Sequence, residues 1–304
     1  MGTPRFAVAS LEALVAAGHT VAAVYTQPDR PKGRGQELAM SPVKEAALRL
    51  GLEVYQPERV RRPEVVEQLA GFGAKAMVVV GYGQIIPQAI IDLAPLGIIN
   101  VHASLLPAYR GAAPIQWAIA NGETETGVTT MRIDAGLDTG DMLRKAETEI
   151  GPEETAPELS ERLAAMGAEL LVETLEGLER GYIVPEPQDD SAATLAPILK
   201  KEDGIVDWGR PARVIHNRLR GFTPWPGAAT TFRGAGLKIL AARVAPETDL
   251  RPGQLAVRGR RLVAGCGEGT ALELVEVQPE GRKRVSGESF ANGARLLENE
   301  VLGN

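Results

Sequence analysis

Three polar side chains are spaced so that they could act on one substrate. Asn100 and His102 stand two residues apart in Asn100-Val101-His102-Ala103-Ser104-Leu105-Leu106-Pro107, and Asp138 follows 36 residues after the histidine in Leu137-Asp138-Thr139-Gly140. On an extended segment, residues two apart leave the same face. An Asn amide and an imidazolium donate hydrogen bonds to an oxygen that gains charge in a transition state. A nearby carboxylate favours the charged ring and can relay a proton through water. Such a set suits transfer of an acyl or formyl group to a nucleophile that the substrate itself brings. The chain has no Gly-x-Ser-x-Gly elbow, and its one cysteine, Cys266, lies far along the chain. A covalent acyl-enzyme is therefore not indicated. A histidine capping a strand end and an aspartate opening a turn would show the same spacing, and the spacing by itself leaves both readings open.

The elements that must position these residues read as an α/β pattern. The apolar run Leu96-Gly97-Ile98-Ile99 predicts a buried strand emerging into a loop at Asn100, and open α/β sheets place their chemistry at the carboxyl ends of strands. Apolar periodicity predicts helices over 6–17, 42–50, 63–69 and 114–120, and strands over 21–26, 76–80, 96–101, 127–133 and 142–149. That alternation predicts a doubly wound, mostly parallel sheet. One long helix is expected over 157–180, with Leu159, Leu163, Met166, Leu170, Leu171, Leu175 and Leu178 on its apolar stripe. A doubly wound sheet normally opens on a strand, whereas Met1-Gly2-Thr3-Pro4 leads straight into a helix. Gly-Thr-Pro reads as the turn after an absent first strand, and the expectation is a native start several residues upstream of Met1. The polar, proline-rich stretch from Pro185 suggests a boundary: a catalytic domain over 1–187, a linker over 188–203 and a second domain over 204–304. In the second domain a short helix at 211–220 precedes β-patterned runs at 228–232, 237–244, 254–258, 261–264 and 271–278. Short strands with glycine turns predict a small β-barrel of OB-like type.

Composition narrows the class. At 304 residues, 44% hydrophobic and 24% charged, the chain has the balance of an ordinary soluble protein long enough for two cores. No apolar run reaches the roughly 18 residues of a membrane span and no signal peptide opens the sequence, so a cytoplasmic location is expected. A single cysteine excludes an internal disulfide framework, and no metal-ligand spacing occurs, so no metal is expected. Cys266 reads as a small buried residue, and His19 and His216 as surface or packing residues without polar company. The net charge of −6 is uneven: 15 Lys and Arg against 10 Asp and Glu from Gly204 onward give +5, and 18 against 29 before it give −11. A basic carboxyl-terminal third suits a polyanionic partner, although a solvated face would look the same.

Several segments carry a family resemblance. Gly2-Thr3-Pro4-Arg5-Phe6-Ala7, Thr26-Gln27-Pro28-Asp29-Arg30-Pro31, Gly33-Arg34-Gly35, Ser41-Pro42-Val43-Lys44, the Asn100–Pro107 run, Arg110-Gly111-Ala112-Ala113-Pro114-Ile115-Gln116, Asp134–Asp141 and Pro224-Trp225-Pro226-Gly227 together resemble the methionyl-tRNA formyltransferase family over essentially the whole chain. The fold implied is a formyltransferase-like Rossmann variant, here without its first strand. The resemblance implies transfer of the formyl group of 10-formyltetrahydrofolate to the α-amine of methionyl initiator tRNA, for translation initiation. Asn100, His102 and Asp138 match the family's catalytic residues. Asn100 and His102 would hold the oxyanion, while Asp138 would keep His102 charged and help move the amine proton to the folate nitrogen. Ser104, Leu105, Leu106 and Pro107 match its folate contacts, and Val80, Gly81, Tyr82 and Gly83 would form the wall of the pterin pocket.

The tRNA partner rests on two basic features. Residues 27–41 hold Arg30, Lys32 and Arg34 with two glycines, which reads as a mobile basic loop suited to phosphates and base edges. By the resemblance this loop meets the tRNA acceptor end, with Arg34 at the matching arginine. In the second domain Arg218, Arg220, Lys238, Arg243, Arg258, Arg260, Arg261, Arg282, Lys283 and Arg284 would supply a salt-sensitive phosphate surface, with Lys238 and Arg258 named as tRNA contacts. The same triad would serve a folate-dependent formyltransferase acting on another amine, such as glycinamide ribonucleotide or an amino sugar, and the basic loop and second domain favour tRNA. A monomer is expected.

Overall fold

In the computed structural model, which describes residues 1–32 and 37–303, contacts divide the chain into two units. One comprises Met1–Pro114, Glu125–Glu149 and Ser160–Pro197; the other comprises Ile115–Thr124, Ile150–Leu159 and Ile198–Asn304. In chain order the elements are α1 (Phe6–Ala16), β1 (Val24–Tyr25), β2 (Arg30–Lys32), β3 (Glu37–Ala39), α2 (Pro42–Arg49), β4 (Val54–Tyr55), α3 (Pro63–Gly71), β5 (Met77–Val79), α4 (Gln88–Ile91), β6 (Ile98–His102), β7 (Arg110–Gly111), α5 (Pro114–Asn121), β8 (Glu125–Arg132), β9 (Met142–Glu149), α6 (Ala156–Glu179) and β10 (Leu195–Ala196). They continue with α7 (Ala212–Phe222), β11 (Ala228–Phe232), β12 (Ala235–Ala245), β13 (Leu255–Arg258), β14 (Arg261–Gly265), β15 (Ala271–Pro279), β16 (Val285–Ser286) and α8 (Gly287–Ala294).

Helix starts follow local chemistry. At α2 the Ser41 side chain accepts the Lys44 N–H (3.1 Å) with Pro42 at the first helical position, where the missing N–H of proline costs nothing.

In the first unit the central sheet runs in the order β5-β6-β8-β9. β5 and β6 pair in parallel, as expected of a parallel α/β sheet, and β8 and β9 extend it antiparallel. The β8–β9 connection, residues 133–141, is shorter than the roughly dozen residues that a parallel crossover takes. Parallel pairing recurs between β1 and β4. Met1 and Gly2 lie between β1 and β5: Gly2 N–H donates to the Tyr25 carbonyl (2.9 Å), the Met1 nitrogen to the Val78 carbonyl (2.6 Å), and Val80 N–H to the Met1 carbonyl (2.9 Å). Alongside lies a cavity of about 570 Å³ whose walls include Leu11, Leu14, Val24, Leu69, Phe72, Met77 and Leu175.

The alternation of β6 separates its apolar and polar side chains. Ile99 and Val101 are buried on one face, each worth about 1.5–3 kcal/mol, and Asn100 and His102 lie on the other with Ile98, where His102 and Ile98 are buried too. A one-residue slip would exchange the two sets. Helix α6 covers the apolar face: a Cβ on Gly167 would come within 2.7 Å of Val101 and 3.2 Å of Val128. Thr174 and Thr130 share a buried hydroxyl contact at 2.8 Å.

The second unit is an antiparallel sheet in the order β11-β12-β15-β14-β13, with β16 on β15. α7 and α8 contribute Ile215, Leu219 and Phe290 to its core. Helix α8 has no counterpart among the expected elements. Among the described residues no ladder joins β11 to β13, so strand pairing does not close the expected barrel. Instead the carboxyl-terminal segment lies against both edge regions: Leu302 N–H donates to the Gly253 carbonyl (2.8 Å) and Gly303 N–H to the Thr231 carbonyl (2.9 Å).

Candidate active site

Strand β6 delivers Asn100 and His102 to the carboxyl edge of the sheet. Val79 of the parallel neighbour β5 pairs with Asn100, so Val80-Gly81-Tyr82-Gly83 leaves β5 at the edge where β6 ends. On the other side Thr129 of β8 pairs with His102. Its hydroxyl donates to the Ser104 carbonyl (2.7 Å) and accepts the Leu106 N–H (3.1 Å), which fixes the turn after the strand. Ser104 is buried and donates to the Ala108 carbonyl (2.6 Å), and Leu106 is buried against Met131 and Met142. Leu105 and Pro107 are half-buried. Of the expected Ser104–Pro107 contacts, two side chains therefore build the loop and two keep an exposed part.

Asp138 comes to this edge on the β8–β9 connection. Asp134 organises that loop by accepting from Gly136 N–H (3.0 Å) and the Thr139 hydroxyl (2.8 Å). Asp138 takes a left-handed backbone, φ 52°, which costs a non-glycine residue about 1–2 kcal/mol and persists because its surroundings fix it. Its Oδ1 accepts from Asn100 Nδ2 (3.3 Å), and its Oδ2 accepts the Gly111 N–H (2.9 Å) and stands 3.7 Å from His102 Nδ1. Its side chain is 18% exposed, against 6% for His102. The three residues separated in sequence thus meet at one place.

The hydrogen bonds assign roles to the two histidine nitrogens. Nε2 lies 2.9 Å from the Tyr109 carbonyl; a carbonyl only accepts, so Nε2 carries a hydrogen. That leaves Nδ1 to exchange a proton, with the Asp138 carboxylate beside it. Asn100 Nδ2 has two hydrogens, and one suffices for Asp138. The arrangement offers a donor for a developing oxyanion and a nitrogen–carboxylate pair for proton movement.

Sequence reasoning missed the supports. The Tyr109 carbonyl and Gly111 N–H lie in backbone whose role no side-chain pattern reports. Gln188 and Arg110 also bind the loop: Gln188 Nε2 donates to the carbonyls of Asp138 and Gly140, both at 2.8 Å, and its Oε1 accepts from Arg110 Nε (2.9 Å). Residues 188–203 were expected to form a linker, and their first part lies against these loops.

The other expected residues fall in varied settings. Val80 and Tyr82 are buried, whereas Gly81 and Gly83 are exposed with φ of 56° and 81°. The Tyr82 ring belongs to the core with Tyr25, Val79 and Ile98, and burial pushes its phenol up to about 12. The Tyr82 carbonyl accepts from Thr3 Oγ1 (3.1 Å) and Gln27 Nε2 (3.0 Å). Any wall role of Tyr82 thus falls to neighbouring backbone rather than to its ring. The expected loop at 27–41 contains an antiparallel pair, β2 with β3, anchored below by Asp29, which accepts from Lys44 (2.6 Å) and Gln56 (2.8 Å). Arg30 is exposed on β2 and Lys32 ends that strand; Arg34 lies outside the described residues.

In the second unit Lys238 is exposed on β12, and Arg258 is exposed and donates to the Thr248 hydroxyl (2.8 Å) and to Asp249 (3.3 Å). Arg260 pairs with Glu288. Arg220 is not part of a phosphate surface: it is 6% exposed and donates to the carbonyls of Gly151 (3.1 Å) and Glu154 (2.7 Å). His216 is buried as a packing residue would be, but it departs from expectation in having polar company, with Nε2 3.2 Å from Glu153. Cys266 is buried as expected, and burial pushes its thiol up to about 12.

Comparison with known proteins accords with this geometry. Residues 1–175 match the formyl transferase family and residues 198–295 the formyl transferase carboxyl-terminal domain. A methionyl-tRNA formyltransferase of Solibacter usitatus is 70% identical over 303 residues, covering 100% of this chain and 97% of that protein. One from Koribacter versatilis is 61% identical over 99% of this chain and 97% of its own length. Among solved structures, the sugar 3N-formyl transferase WlaRD, crystallised in the presence of dTDP and 5-N-formyl-THF, superposes with a TM-score of 0.67 at 18% identity, over 93% of this chain and 97% of that one. At that identity the likeness concerns the fold. With both domains matched and full-length identity of this order, the chain belongs to the methionyl-tRNA formyltransferase family.

Proposed function

We propose that this protein transfers the formyl group of 10-formyltetrahydrofolate to the free α-amino group of methionyl initiator tRNA, with Asn100, His102 and Asp138 as its catalytic residues. The observation that carries the reading is the meeting of these three side chains at the end of β6 in a chain 70% identical to a methionyl-tRNA formyltransferase. The nucleophile is the uncharged α-amine, whose ordinary pKa of about 7.7–8.0 makes it available near neutral pH. The amine nitrogen bonds to the formyl carbon and the carbonyl oxygen takes the negative charge. The free hydrogen of Asn100 Nδ2 donates to that oxygen. The tetrahedral centre collapses by breaking its bond to the folate nitrogen N10. The proton that the amine loses passes by way of His102 Nδ1 and Asp138 to N10.

The pterin is assigned to the edge formed by Ser104, Leu105, Leu106 and Pro107 on one side and Val80, Gly81, Tyr82 and Gly83 on the other. Residues 1–187 carry this chemistry. Residues 204–304 are assigned as a tRNA-binding, OB-like domain joined through 188–203. The contacts of Leu302 and Gly303 with both edge regions of its sheet support that description. Arg30, Lys32, Arg34, Lys238 and Arg258 are assigned to phosphates of the tRNA. A cytoplasmic monomer completes the reading, and among the described residues no helix is long and apolar enough to cross a membrane.

The test is substrate competition. The protein is incubated with 10-formyltetrahydrofolate and either methionyl initiator tRNA, glycinamide ribonucleotide or an amino sugar nucleotide. Formylmethionine released from the tRNA is expected. Product from either small amine, with none from the tRNA, would overturn the assignment.

A further inference from the structure

The loops that hold the catalytic residues are tied together by a segment outside the recognised motifs. Residues 186–196 run past both of them. At one end Glu186 and Met142 exchange backbone hydrogen bonds, each 2.8 Å, just after the Asp138 loop. At the other end β10 pairs with β7: Arg110 N–H donates to the Thr194 carbonyl (2.9 Å) and Ala113 N–H to the Ala196 carbonyl (3.2 Å). Tyr109 N–H adds a bond to the Thr194 hydroxyl (2.8 Å). The strap passes so close that a Cβ on Gly111 would lie 2.7 Å from the Ala196 carbonyl oxygen. It therefore grips the segment whose Tyr109 carbonyl holds His102 and whose Gly111 N–H holds Asp138.

Gln188 sits between the two grips, and we propose that it is a positioning residue that sets the orientation of Asp138 for catalysis. The inference rests on the catalytic reading of Asp138 given above. The Gln188 carboxamide is committed at both ends. Nε2 supports the carbonyls of Asp138 and Gly140, and Oε1 receives Arg110 Nε. Arg110 is 7% exposed, and its other arm meets Asp190 (2.8 Å), so the guanidinium fixes which way the amide faces. An amide suits this place for a chemical reason. Its two N–H hydrogens serve the two carbonyls while its oxygen accepts from arginine. A glutamate could still accept from Arg110 but would set a carboxylate against two carbonyl oxygens. A methionine could do neither. Asp138 holds a left-handed backbone that its neighbours must maintain, and the bond to its own carbonyl is the restraint nearest that torsion. Without it the carboxylate swings relative to His102 Nδ1.

The test compares Gln188→Met, Gln188→Glu, Asp138→Asn and the double variant Gln188→Met/Asp138→Asn in steady-state formylation, with thermal unfolding of each. Misplacement of a catalytic group by about an ångström costs up to about a hundredfold in rate. Both Gln188 variants are expected to lose about tenfold to a hundredfold in kcat, with KM for formylfolate and for methionyl-tRNA within about twofold of the parent. Gln188→Glu keeps the shape and the Arg110 contact, so its loss reports the two donated hydrogen bonds rather than packing. The double variant should be no slower than Asp138→Asn alone, since residues that act through one another are not additive. Parent-like kcat in Gln188→Glu, or losses that multiply in the double variant, would overturn the proposal while leaving Asp138 catalytic. Parent-like kcat in Asp138→Asn would instead overturn the catalytic reading, and the positioning role with it.

Discussion

His102 has both ring nitrogens accounted for, and that decides how the site can work. Nε2 is spent on the Tyr109 carbonyl, so the ring cannot donate from that side to a substrate oxygen. On the proposed mechanism Nδ1 is left for proton exchange, and stabilisation of the oxyanion falls more heavily on Asn100. The resemblance implies that Asn100 and His102 share the oxyanion; on the proposed mechanism the two divide the labour. Removing one preorganised oxyanion donor typically costs about 100- to 1,000-fold in kcat. Asn100→Ala is therefore expected to lower kcat by about that factor with little change in KM for formylfolate. The measurement is steady-state formylation, and a loss confined to KM would show that Asn100 binds substrate without stabilising the transition state.

At the scale of elements, α7 carries a buried charge arrangement separate from catalysis. His216 lies on its buried face beside Glu153, with Arg220 one turn on and Arg213 nearby. Burial lowers the His216 pKa below 6.5 in spite of the Glu153 carboxylate. The unfolded chain then takes up the proton first. The stability associated with His216 is present above the unfolded value and is lost as pH falls through it toward the folded value. In His216→Gln this dependence should shrink, so urea midpoints at about pH 7.5 and about pH 5.5 should lie closer together than in the parent. An equal or wider gap would contradict the assignment.

The same scale shows what local sequence could reveal. Helices α1, α2 and α6 and strand β9 fall where periodicity and Pro or Gly signals place them, because each helix buries one face of a regular repeat and β9 alternates half-buried with exposed residues. The β2–β3 pair, the β7–β10 pair and the Gln188 strap escaped notice. The strands of both pairs are two or three residues long, too short to show a period, and the β7–β10 pair and the strap exist through bonds to residues far away in the chain. Polar partners such as Glu153 for His216 escaped for the same reason. The side chains proposed as catalytic were legible because chemistry restricts their type; the backbone groups that hold them were not.

Over the whole molecule, chemistry and charge occupy different parts of the chain. Asn100, His102 and Asp138 lie in the first unit, whereas the net positive segment begins at Gly204 in the second. Several of its arginines are paired with acids, including Arg258 with Asp249, Arg260 with Glu288 and Arg284 with Glu276. These pairs leave fewer cations for phosphate than the 15 Lys and Arg of the segment, and Lys238 is one of its exposed cations. This separation means that catalysis and tRNA retention should respond to different substitutions. The most direct measurement is the single-turnover rate of formylmethionyl-tRNA formation by His102→Ala and Asp138→Ala, with tRNA binding measured on the same preparations. A rate loss of about 100- to 10,000-fold with tRNA affinity near that of the parent is predicted. Rates close to the parent, or affinity falling in step with rate, would contradict the claim that these residues perform formyl transfer.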